Sequence, residues 1–220
     1  MFSPTIYWRL FESLNREAWA LPLALATGAL AVSWRTARGT GRGAIRSVRA
    51  VVGLLAIGWL WVAWAFFWQR FAPISTAAPA FAGLFVAQGL GLMGFAFAPG
   101  LRWVTGHGVR RVAGLLIAAW ALVAHPSLAV VFGRPGLQAE WLTLAPDPTA
   151  LATLALLLLV DGSRHRYARV WQRVLWGLPL LWCAASSLTL WTLGEAQGVA
   201  VAVLAALACL AAARRPPDHG

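Results

Sequence analysis

AEWLTLAPDPTALATLALLLLVDG, residues 139–162, sets an apolar run between two acids, Asp147 and Asp161. Pro146 breaks regular structure before the run. Asp147 is a good N-cap and Pro148 suits the first helical position. A helix from Pro148 to Val160 would have 13 residues, and so would be about 20 Å long. The hydrocarbon core of a bilayer is about 30 Å thick. Two readings follow. In one, the bilayer thins locally, or the helix runs on through Gly162 to Arg164 and that arginine snorkels. In the other, WLTLA at 141–145 enters the membrane as irregular backbone and the helix begins inside, sheltered by protein. Its positive end would then face a cavity, and Asp147 would lie below the outer headgroups.

The rest of the chain says what kind of solvent this helix meets. Of 220 residues, 60% are apolar and 11% charged, and the mean hydropathy is +0.69. A soluble domain carries about 25% charged residues. The composition implies an all-α, polytopic membrane helix bundle. The net charge is +11, from 18 basic residues, all arginine, and seven acids. The arginines fall between apolar runs, so membrane lipids rather than nucleic acid are the expected partner. Without lysine no retinal-type or pyridoxal-type Schiff base can form, and no cofactor is expected. Cys183 and Cys209 sit inside apolar runs, without CxxC or zinc-ligand spacing, and read as small buried hydrophobes. Residues 1–8 carry no basic charge, so no cleavable signal is expected.

Seven candidate spans follow, at about 18–34, 50–71, 77–98, 111–132, 146–161, 174–193 and 196–213. The intervening segments set their direction. Residues 35–49 carry +5, residues 99–111 carry +3, residues 161–173 carry +3 and the tail carries +1. With seven spans these four share one side, and the segments of the other side sum to −1. The positive-inside rule then puts the N-terminus outside and the C-terminus in the cytoplasm of a bacterial inner membrane. Trp34, Trp103 and Trp171 border the basic side, and Trp19, Trp68, Trp141 and Trp191 the other, as interfacial anchors.

Ahead of the first span, Ser3 and Pro4 open a short helix with Ile6, Leu10 and Leu14 on one face. It reads either as an amphipathic helix on the outer surface or as an extension of the first span. The domain organisation is thus an outer interfacial helix over 1–17, one transmembrane domain over 18–213 and a cytoplasmic tail over 214–220.

Within this frame the polar residues are few. His125, followed by Pro126, lies inside the fourth span, about 21 Å from Arg111. An ionisable residue at that depth is a proton carrier or ligand, or else a neutral histidine bonded to a neighbouring helix. Pro126 frees the carbonyl of Leu122 and is expected to kink the helix. Glu140, Asp147 and Glu195 fall on the outer side with Arg70 and Gln69, an outer polar site that could bind a cation or relay a proton, or hold ordinary loop ion pairs. Their spacing matches no metal motif, so no metal ligand and no catalytic residue is assigned. Gln88, mid-span in VAQGLGLMGF, is expected to bond another helix, and the surrounding glycines permit close packing. Trp61, Trp64 and Trp68 share a face of the second span, toward lipid or toward an aromatic pocket. Pro179 interrupts the sixth span, ahead of Trp182, Ser186, Ser187 and Thr189, whose hydroxyls can bond neighbouring helices. There is no GxSxG, HExxH or phosphate-binding loop.

FSPTIYWRLFESLNREAW, the Trp-rich second span, HPSLAVVFGRP, LAPDPTALATLALLLL and LPLLWC occur in this order over nearly the whole chain. In this the chain resembles an uncharacterised family of bacterial multi-pass membrane proteins, a domain of unknown function, with the APxPT segment before an apolar helix as its most specific part. The resemblance implies an integral membrane protein and brings no activity. It also implies Tyr in many members where His125 stands and Cys where Asp147 stands. Pro146, Pro148 and Thr149 match, which favours backbone geometry over carboxylate chemistry.

Three functions fit these residues. The first is a small transporter or permease-like protein for an unknown small molecule or ion; seven spans would suit a 3+1+3 arrangement, by analogy alone. It predicts a water-accessible cavity between helices, reaching near His125 and Asp147. The second is a non-transporting accessory or assembly protein, with a protein partner or a second copy of itself, in which those groups are packed dry. The third is a membrane enzyme acting on lipid.

Overall fold

The computed structural model describes residues 3–18, 20, 28 and 42–214. The expected first span, with Trp19, Trp34, Arg35 and Arg38, lies almost wholly outside the described residues, as does the tail beyond Arg214. The described chain is mostly helical. It runs α1 (Pro4–Ala18), α2 (Arg42–Val62) continuing into a π segment (Ala63–Phe71), and α3 (Ala78–Ala96). After β1 (Arg102–Trp103), α4 (Val109–Ala119), a second π segment (Trp120–Ala124) and α5 (His125–Val131) form one rod. Then come α6 (Pro146–Leu159), β2 (Val160–Asp161), α7 (Arg166–Val174), α8 (Gly177–Thr192) and α9 (Gln197–Ala213).

Among the described residues four rods are long and apolar enough to cross a membrane: Gly43–Phe71, Ala78–Ala96, Val109–Val131 and Arg166–Thr192. Helices α6 and α9 are apolar but shorter. Phe97, Val123, Val131, Leu188, Trp191 and Leu210 remain exposed, an apolar surface too extensive for water. These features mark a membrane protein. Hydropathy locates where apolar residues begin, and not where a helix ends. Arg46 and Arg49, expected in a loop, therefore belong to α2, and α7 carries the sixth apolar run back to Arg166.

The short α6 is the centre of the molecule. It packs against α2, α4, α8 and α9, and nearly all its side chains are buried. It does not run on to Arg164. It stops at Leu159, and Arg102 and Trp103 pair antiparallel with Asp161 and Val160. A helix ending inside protein must have its last carbonyls satisfied by other groups. Arg110 Nη2 donates to Leu157 O and Val160 O, both at 3.0 Å. Gln172 Nε2 donates to the same two carbonyls at 2.9 and 2.7 Å.

The start of α6 is sheltered as well. Residues 143–145 are buried and non-helical, and Thr143 has φ +69°, a left-handed conformation costly for a β-branched residue. Thr149 Oγ1 holds this turn, accepting from Thr143 N at 3.0 Å and donating to Ala145 O at 2.7 Å. The N-cap is Ala145, and Asp147 is not a cap: its carboxylate bonds to α8 instead.

Several local expectations change in detail. Pro126 cannot donate to the carbonyl of Leu122, but the rod does not simply break. It widens to π geometry over Trp120–Ala124, with His125 N bonded to Trp120 O, and so accommodates the proline. Ser127 Oγ donates to Val123 O. The sixth apolar run does break, at Leu175–Trp176, and Pro179 stands in the first turn of α8 just beyond, where the missing N–H is harmless. Gln88 Nε2 donates to Leu175 O at 3.0 Å, linking α3 to the α7–α8 junction. Trp64 and Trp68 face outward, whereas Trp59 is buried and donates to Thr153 Oγ1 at 2.7 Å. Cys183 is buried, but Cys209 is exposed.

Helix α1 buries Tyr7, Trp8, Phe11, Leu14 and Asn15, while Ile6 lies outside. The buried face is the aromatic one, displaced from the expected Ile6–Leu10–Leu14 stripe. Phe11 stacks on Phe66 at 5.0 Å, and Asn15 Nδ2 donates to the carbonyls of Leu137 and Ala139. This docks α1 over the loop that leads into α6.

Candidate functional site

The fold brings His125, Glu140 and Asp147 together. One ligand atom from each lies within 4.8 Å of the other two, although they are spread over 23 positions of sequence and three elements: the start of α5, the loop before α6 and the first turn of α6. Their exposures are 1%, 3% and 0%.

Each side chain is oriented by the packing around it. Trp182 and Ser186 are one turn apart on α8. Trp182 Nε1 donates to Asp147 Oδ1 and Ser186 Oγ to Oδ2, both at 2.7 Å. Phe67, Phe81 and Phe85 surround Trp182 edge-on at 5.2–5.3 Å, which fixes its ring. Glu140 Oε2 accepts from Gln197 Nε2 at 2.8 Å and lies 3.5 Å from His125 Nε2, beyond a good hydrogen bond. Glu140 Oε1 and both ring nitrogens of His125 are buried without a hydrogen-bond partner among the described residues.

Beyond Glu140 a chain of polar contacts continues toward α1. Arg134 Nη2 donates to Gln197 Oε1, so the glutamine separates the guanidinium from Glu140. The Arg134 Cζ sits 3.4 Å from the centre of the Trp8 ring, and Trp8 Nε1 donates to Glu195 Oε1 at 3.1 Å. Burial draws the Arg134 guanidinium below its ordinary pKa, with Glu140 and Glu195 acting the other way. On α1, Gln138 and Arg16 bond to the Glu12 carboxylate and hold it below the usual value.

The six residues expected to form an outer-side site therefore separate. His125, Glu140 and Asp147 converge. Glu195 reaches them only through Trp8, Arg134 and Gln197. Arg70 is elsewhere, paired with Glu17 and bonded to Ser13 Oγ, and exposed Gln69 lies beside it in a cleft between α1 and the π segment. Gln197 is the site residue that the sequence pattern passes over: it opens α9 at the end of an apolar run, whereas Gln88 stands out by lying in the middle of one.

The chemistry on offer is that of two carboxylates and an imidazole in a low-dielectric interior. This donor set holds protons or metal ions. The fold and site together define a polytopic helical protein with membrane-length helices and a buried polar centre. Residues 4–218 match the model of a family of unknown function, DUF6064, and the chain belongs to that family. None of the curated proteins and none of the solved structures matches it.

Proposed function

We propose that this chain is a permease-like protein of the bacterial inner membrane, with seven spans, an outer N-terminus and a cytoplasmic C-terminus, which takes up a small polar solute or ion at His125, Glu140 and Asp147. The observation that carries the reading is the unmatched hydrogen-bonding capacity of that centre. A helix-locking amide such as Gln88 is matched, by Leu175 O, and the other buried polar atoms without a partner, such as Thr143 Oγ1 and Ser187 Oγ, are single hydroxyl, indole or guanidinium groups rather than a cluster of ionisable ones. Leaving Glu140 Oε1 and both nitrogens of His125 without partners costs free energy that a packing device has no reason to accept. The π segments Ala63–Phe71 and Trp120–Ala124 supply rods that can rearrange next to the site.

One observation favours the accessory-protein reading: the three groups are almost wholly buried. A permease in an occluded state shares that feature, but only a permease opens. Cys183 lies on α8 one turn from Ser186 and is buried. In a Cys209→Ala background, reconstituted protein is exposed to a charged, membrane-impermeant thiol reagent under ion and pH gradients. Modification of Cys183 in the folded protein is expected. Complete protection from both sides under every gradient would replace the permease reading by the accessory one.

A further inference from the structure

We infer that His125, Glu140 and Asp147 form a binding site for one divalent transition-metal ion of the manganese, iron, cobalt or zinc type. The inference rests on the proposed role of this centre and names what occupies it.

Charge is the first argument. With a neutral imidazole the centre carries two negative charges, and Gln197 keeps the Arg134 guanidinium from touching Glu140. A divalent ion cancels both charges at once. A single proton cancels one and leaves the second carboxylate buried, with only the Arg134 guanidinium, held one glutamine away, to balance it.

Geometry is the second. Donors that share an ion at about 2.1 Å lie about 3 to 4 Å from one another. The three donor atoms here are within 4.8 Å, so side-chain adjustments of about an ångström close the shell. Asp147 has two bonds on its carboxylate, one to each oxygen, which leaves a lone pair on each for a metal. Glu140 Oε1 and the His125 nitrogens have no other partner among the described residues. The outer bonds have the form of a metal second shell: Trp182 and Ser186 orient Asp147, and Gln197 orients Glu140.

Donor chemistry sets the class. One imidazole nitrogen with carboxylate oxygens suits borderline divalent ions; soft Cu(I) wants sulfur, and Ca2+ wants six to eight oxygens. Three protein ligands leave coordination positions open, as in sites that exchange ligands.

The test uses the untagged full chain in detergent, stripped with a chelator and then titrated with Co2+ and, separately, Mn2+. Binding of one ion per chain is expected, with cobalt d–d bands and no thiolate-to-cobalt charge transfer. Glu140→Gln and Asp147→Asn, each checked for monodispersity, should weaken binding by about tenfold or more, and Ser186→Ala by about tenfold. Exchanging the histidines His107 and His165 for alanine should leave the stoichiometry unchanged. As a second measure, metal should raise the thermal midpoint of the wild type and not that of Glu140→Gln. Absence of stoichiometric binding, binding untouched by the Glu140 and Asp147 variants, or preference for Mg2+ or Ca2+ would overturn the inference. Metal binding with Cys183 fully protected keeps the metal site and removes transport. Labelled Cys183 without metal binding does the reverse.

Discussion

Replacing Thr149 by valine isolates one hydroxyl on which the entry to α6 depends. The two side chains have nearly the same shape, so little cavity forms. What is lost is the acceptor for Thr143 N and the donor to Ala145 O. The Thr143 amide is in a buried turn at positive φ, and the substitution removes its hydrogen-bond partner there. An unmatched buried amide costs about 1–3 kcal/mol. For a chain of this size each kcal/mol moves the midpoint by about 2–4 °C, so the variant should melt about 2–12 °C lower. The assay is thermal unfolding in detergent, followed by the fluorescence of the 14 tryptophans, several of which, Trp59 and Trp8 among them, are buried in the folded chain. Thr149→Ser keeps the hydroxyl and drops a methyl, and should melt above Thr149→Val. If the valine variant melts within about 1 °C of wild type while the serine variant falls well below, the methyl matters and the hydroxyl does not. The account of a hydrogen-bonded, protein-sheltered entry would then be wrong.

At Gly58, an added Cβ would lie 2.6 Å from Thr143 Cγ2, so Gly58→Ala should cost about 1–3 kcal/mol through overpacking, read as a lowered midpoint in the same assay. Trp8→Phe keeps most of the ring area but loses the bond to Glu195 and weakens the stacking on Arg134; a loss of about 0.5–2 kcal/mol is expected, measured by unfolding and by faster proteolysis of α1. Because Glu12 is held below its ordinary value, its contribution is present at neutral pH, above the unfolded value, and is lost as acidification passes the folded one. Wild type and Glu12→Gln should therefore differ in α1 protease resistance at pH 7 and converge in strong acid, with the difference reduced by salt.

Much of this fold is legible in the alternation of apolar runs with arginines. The expected spans at 50–71, 77–98, 111–132, 174–193 and 196–213 each fall on a helix, because a run of about twenty apolar residues has few other solutions. The helix at 146–161 is readable as too short, and its entry over residues 143–145 is irregular and buried in protein. What the sequence does not show is what completes its ends. Arg110 and Gln172 are remote from Leu157 in sequence, and a two-residue ladder leaves no periodic signature. Likewise the proline at 126 announces a disturbance, but widening to π geometry is a choice made by neighbouring rods. The site was half visible. His125, Glu140 and Asp147 stand out as ionisable residues in apolar surroundings, whereas nothing in their spacing separates them from Arg70 and Gln69. Only the packing of α5, α6 and α8 does that. The family resemblance weighted Pro146, Pro148 and Thr149; in the structure that backbone and the carboxylate of Asp147 belong to one turn.

The donors that complete α6 have a bearing on biosynthesis. Arg110 precedes the helix in the chain and Gln172 follows it. A nascent chain that has reached Val160 holds an apolar stub about 21 Å long, with half of its terminal partners still inside the ribosome. Such a stub has poor grounds for leaving the translocon sideways by itself. Its end is completed only when the segments before and after it are in place, which ties assembly of the centre to completion of the following hairpin.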